Sequence, residues 1–112
     1  IDVSLVGSEM CIRDSYQVAV EFYRTAKTLQ LPRHLKDQLN RASSSIVLNL
    51  AEGSARHTKA DQKRFFCIAF GSLRESQAIL DLSVNTPEEL INCADKLAAH
   101  IYKLIQAVSR VT

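Results

Sequence analysis

Leu90, Ala94, Leu97, Ile101, Leu104 and Val108 recur at alternating steps of four and three residues. That spacing cannot line one side of a strand, whose period is two. On an α-helix it draws a single apolar seam. Ile91, Ala98 and Ile105 widen the seam. A stripe that wide can face two neighbours, so contact with a second subunit is an expectation for this helix. The start is written just upstream, in Thr86-Pro87-Glu88-Glu89. It supplies an N-cap, a proline at the first helical position and a glutamate at the third.

Three earlier segments carry the same period. Val18, Phe22, Ala26 and Leu29 predict a helix over residues 16–30, with Ser15 as N-cap and Pro32 ending it. Leu35, Leu39, Ala42, Ile46, Asn49 and Gly53 predict a second over residues 33–51, with Gly53 as the left-handed residue that closes it. Ser43, Ser44 and Ser45 are small enough to admit a close neighbour. A third helix is expected to follow Thr58, because Thr58-Lys59-Ala60-Asp61 is nearly a capping box. Phe65, Ile68 or Ala69, Ser72, Leu73, Ser76, Ile79 or Leu80, and Ser83 carry its rhythm to about residue 84. Gly71 inside it costs about 1 kcal/mol against alanine, so it is read as a mark of close helix contact.

With 112 residues, 46% hydrophobic, and only 3 Gly and 2 Pro, the chain can fill one modest helical core. Short connections make neighbouring helices antiparallel. The expected architecture is all-α, an antiparallel up-down-up-down four-helix bundle over residues 16–112. Residues 1–15 lack any 3.6-residue rhythm and are expected to be a disordered or foreign leader, the alternative being a divergent N-terminal arm.

The overall charge of +2 hides an asymmetry. Residues 24–64 hold nine Lys/Arg against three acids, a net of +6, and residues 65–112 net −1. A basic half suits phosphate backbones or acidic protein surfaces, and also a solvated helix face. The densest run is Arg56, His57, Lys59, Lys63 and Arg64, with Asp61 the only acid among them. It spans the turn between the second and third helices, where helix-start amides also attract anions. Aromatic residues for base stacking are poorly placed, since Phe65 is expected in the core. The run therefore supports sequence-independent contact with an RNA or DNA backbone.

Chemistry is harder to find. The three cysteines, Cys11, Cys67 and Cys93, have no metal-ligand spacing, and Cys67 and Cys93 are expected as small buried residues. Neither a G-x-S-x-G elbow nor a glycine-rich phosphate loop is present. No Glu stands three residues before His34, His57 or His100, which excludes the paired Glu-x-x-His of di-iron bundles. No Arg stands four to six residues before any of them, as the HEPN ribonuclease motif would require. The expectation is a protein that is not an enzyme, with no cofactor and no metal. Without an apolar run near eighteen residues or a signal segment, no membrane partner is expected, and the cytoplasm is the expected location.

Asn49-x-Ala51-Glu52-Gly53 closes the second helix, and Gly71-Ser72-Leu73 followed by Glu75 sits in the third, after the pair Phe65-Phe66. Together these resemble the family of the 23S ribosomal RNA intervening-sequence proteins, over residues 16–108. Two departures stand out: Val47 and Leu48 replace the family's usual Pro-Ser, and Ser76 falls where leucine is typical. Losing the proline predicts a straighter second helix. The resemblance implies a four-helix bundle without established enzymatic activity, and a ring-forming homo-oligomer, most often a pentamer. A related group acts with the reverse transcriptases of diversity-generating retroelements, which implies such an enzyme as a partner. Asn49 is read as a buried amide bonded to Ser72 or Ser76, with Glu52, Gly53 and Gly71 also structural. The alternative places Asn49 and Glu52 in a site at the helix end. Two functions follow: a bundle that binds nucleic-acid backbone, or a homo-oligomeric module for protein interaction.

Overall fold

In the computed structural model, residues 5–6 and 10–110 are described. The chain forms four helices: α1 (Ile12–Ala26), α2 (Arg33–Ser54), α3 (Lys59–Leu82) and α4 (Glu88–Ser109). Two short strands precede them, β1 (Leu5–Val6) and β2 (Met10–Cys11), paired antiparallel in the register Leu5 with Cys11. Of the expected leader, residues 1–4 and 7–9 lie outside the described residues. Each helix packs on its neighbours in the order α1, α2, α3, α4 and back to α1, in a body 45 × 22 × 22 Å.

The core lies along the common axis. All six seam residues of α4 are buried: Leu90, Ala94, Leu97, Ile101, Leu104 and Val108. They meet Phe22 and Ala26 of α1, Leu39, Ile46 and Leu50 of α2, and Phe66, Leu73 and Ile79 of α3 in one continuous cluster. This apolar burial is what holds short helices that would fray alone.

Helix α1 starts at Ile12, earlier than the rhythm predicts, and Ser15 is a buried helical residue, not an N-cap. It also ends sooner, at Ala26. The ammonium of Lys36, one turn into α2, donates to the carbonyl oxygens of Lys27 and, at 2.6 Å, Leu29. Carbonyls released at a helix end are thereby satisfied by a positive charge, a favourable placement at the negative end of the helix dipole. Leu29 still reaches the core from the connector.

Helix α2 runs without interruption through the site of the missing proline. It also runs through Gly53, which is helical and not the left-handed cap expected of it. An added Cβ on Gly53 would stand 2.6 Å from Cε1 of Phe66 and 3.2 Å from Cβ of Phe65. The glycine is there because α3 approaches too closely for any side chain. Gly71, expected to mark close contact, has nothing within 4 Å of its added Cβ and faces outward. The close contact expected at Gly71 is made at Gly53 instead, and neither glycine is a left-handed cap.

The seams of α2 and α3 hold except at one position in each, where the neighbouring residue is buried instead. Leu50, not Asn49, is fully buried on α2, and Phe66, not Phe65, on α3. Thr58 caps α3 as expected, its hydroxyl accepting from the Asp61 amide at 3.1 Å. Thr86 does not cap α4. Its hydroxyl donates to the Leu80 carbonyl at 3.0 Å, closing the end of α3 instead. Cys67 is exposed and Cys93 half-buried, since neither falls on the seam of its helix.

Candidate nucleic-acid interface

Residues 55–58 form the turn between α2 and α3. The turn is tight because Ala55 and Arg56 donate backbone hydrogen bonds to Glu52 and Gly53, and Thr58 starts α3 at once. This brings Arg56, His57, Lys59, Lys63 and Arg64 to one end of the molecule. His57, Lys59, Lys63 and Arg64 are exposed and Arg56 is half-buried. Lys59 and Lys63 stand one helical turn apart and are neighbours on the α3 surface.

Arg56 is the most constrained member. One of its terminal nitrogens pairs with the Glu52 carboxylate, the one ion pair among the described residues. Its Nε is buried and makes no hydrogen bond there. Its guanidinium lies 4.8 Å from the centroid of the Phe65 ring, and that of Arg64 lies 4.3 Å from the same centroid. Phe65 is half-buried. Reading it as core hid this contact. The signal that could have found it is Phe66 beside it: adjacent helical positions point about 100° apart, so only one of the two can face the core.

Arg33 and Lys36, at the other end of α2, lie away from this turn. Arg33 opens α2 and Arg56 follows its end, so about 33 Å of helix separates them. Lys36 is committed to the end of α1.

Asn49 and Glu52 do not share a site. The Asn49 amide donates to the Ser45 carbonyl at 2.8 Å and the Ser45 hydroxyl at 3.0 Å, and so turns back along its own helix. Ser45, in turn, is 2.8 Å from the Ser72 hydroxyl on α3. Asn49 thus reaches Ser72 through Ser45 and makes no hydrogen bond to it. Ser76 is fully buried and satisfied by the Ser72 carbonyl at 2.9 Å. Glu52 is occupied with Arg56.

Two titratable groups elsewhere among the described residues are shifted from their ordinary values. Burial raises the Cys93 thiol above its ordinary value, Glu21 adds to this, and Lys96 opposes it. Burial lowers the His100 imidazole, as do Lys96 and Lys103, against Asp14. Cys93 and His100 are seven residues apart on α4, about 10 Å along the axis, too far for a nucleophile and its base. Among the described residues no group of three or more His, Cys, Asp or Glu could hold a metal ion. No helix among them is long and apolar enough to cross a membrane.

The family described as 23S rRNA-intervening sequence protein matches residues 9–110. No curated protein matches the chain.

Proposed function

Since the chain belongs to the family of 23S rRNA-intervening sequence proteins, we propose that it is a non-enzymatic bundle that holds RNA or DNA by its phosphate backbone. The contact is the α2–α3 turn. The observation that carries this reading is the state of its charges. The cations Lys59, Lys63 and Arg64 stand exposed there beside His57, and among the described residues only Arg56 is in an ion pair. Cations without an ion pair at one end of an elongated body suit a polyanion.

In this reading the helices run up, down, up and down. The contacts Gln38 with Glu75, Ser45 with Ser72 and Gly53 with Phe66 support it for α2 and α3, since one set of numbers rises as the other falls. The turn at residues 55–58 then lies at the opposite end from the α1–α2 and α3–α4 connections. The cytoplasm is its place of action.

The test is binding of an RNA or DNA duplex at rising salt. Association should weaken steeply, and changing Lys59 and Lys63 to Ala should make the slope of log K against log salt shallower by about 1 per lysine. Affinity that ignores salt would remove the proposal.

A second reading, a homo-oligomer such as a pentamer or a module for a partner such as a reverse transcriptase, has its own support. Leu48 is 65% and Ile68 43% exposed on α2 and α3. Gly71, outward-facing on α3, leaves room for another chain. Light scattering at micromolar concentration tests it, and a monomer would count against it.

A further inference from the structure

Phe65 is absent from the set of basic residues, yet its packing arranges two of them. Gly53 lets the Phe66 ring into the core, where it is fully buried. With Phe66 turned inward, Phe65 is left at the surface of the same helix, beside the turn. Two guanidinium groups then settle over its ring, Arg64 at 4.3 Å and Arg56 at 4.8 Å. Each is drawn to the negative face of the aromatic quadrupole. Two like charges on one ring repel, and the Glu52 carboxylate on Arg56 offsets that repulsion. The Arg64 guanidinium makes no hydrogen bond among the described residues. A guanidinium held by its face keeps its N–H edges for a phosphate, which it can grip with two parallel bonds.

We infer that Phe65 is a positioning residue that presents Arg64 edge-outward to phosphodiester oxygens, with Arg56 held on the same ring by its pairing with Glu52, and that the ligand is a duplex in preference to a single strand. This rests on the backbone-binding function proposed above. The preference follows from what the ring is already doing. Single strands are held largely by bases stacked on aromatic side chains. Phe66 is buried and Phe65 is engaged by arginines, so neither phenylalanine at the turn is free to stack on a base, and only the smaller His57 ring is exposed there. A duplex, with one charge per about 1.7 Å of axis, puts more phosphates within reach of a compact basic turn.

The experiment is fluorescence anisotropy on the full chain, with a short RNA duplex, a DNA duplex of the same sequence and each single strand as probes. Phe65→Leu keeps apolar volume and removes the ring. Phe65→Trp keeps a ring. Wild type should bind either duplex more tightly than its strands. Phe65→Leu should weaken duplex binding about three- to tenfold, from the loss of the two cation–π contacts that hold the guanidinium groups, with its helical circular dichroism unchanged, and Phe65→Trp should restore it. The role of Phe65 is overturned if Phe65→Leu binds duplex like wild type, or if Phe65→Trp is as weak as Phe65→Leu. Tighter binding of single strands overturns the duplex preference. Absence of any wild-type binding at low salt would instead remove the backbone-binding function, and this inference with it.

Discussion

Cε1 of Phe66 lies 2.6 Å from the point where a Cβ on Gly53 would stand. No real side chain tolerates that approach, so Gly53→Ala must push the ring or part α2 from α3. Overpacking of this kind costs about 1–3 kcal/mol, partly offset by the better helix propensity of alanine. A denaturant melt should show a net loss of stability. An unchanged or higher midpoint would mean that the ring can swing aside freely.

Gly71 predicts the reverse. It sits inside α3 with open space beyond it. Gly71→Ala should stabilise the isolated subunit by about 0.5–1 kcal/mol, through helix propensity and a less disordered unfolded chain. The check is a thermal melt of dilute protein. A fall in the melting temperature would reveal another chain seated against this face.

Glu52 holds Arg56 by an exposed ion pair, with side chains 38% and 47% accessible for Arg56 and Glu52. Such pairs contribute little to stability, about 0–1 kcal/mol. Glu52→Gln should therefore leave folding nearly intact. It should strengthen duplex binding and steepen its salt dependence, because a competing carboxylate has gone. Weaker binding by a normally folded variant would show that Glu52 is needed to aim the arginine.

His100 makes stability sensitive to acid. Its folded imidazole protonates below the ordinary value of 6.5, first because of burial and then because of Lys96 and Lys103. Between 6.5 and that lower value the unfolded chain carries more protons, so stability falls as pH drops through this window and is unaffected above it. Urea melts at about pH 7.5 and about pH 5.5 should differ for wild type, and less so for His100→Gln. Equal pH dependence in both proteins would dismiss the assignment.

The seam of α4 was legible because it repeats six times, so a one-residue error in phase has nowhere to hide. The Thr58 cap was legible because capping is local. Phase failed where two adjacent residues suit the core equally, as at Phe65 and Phe66. It failed again where Asn49 precedes Leu50. Periodicity gives the width of a stripe, and only the neighbouring helix decides its angle. The two glycines failed for a related reason. A helical glycine reads the same whether it meets a ring or faces empty space, and the distinction lies in another segment of chain. The basic turn was visible as composition within nine residues of sequence. The pair of arginines over Phe65 was not, since it exists only once Phe66 has taken the inward position.

Helix α2 extends unbroken from Arg33 to Ser54, one face against α1 and another against α3. A kink at residue 47 would have let its two ends tilt separately. As one uninterrupted helix it spans about 33 Å. Lys36 at its first turn is bound to the tail of α1, and Arg56 just past its last turn is bound to Glu52, so one rigid element sets the separation of these two contacts.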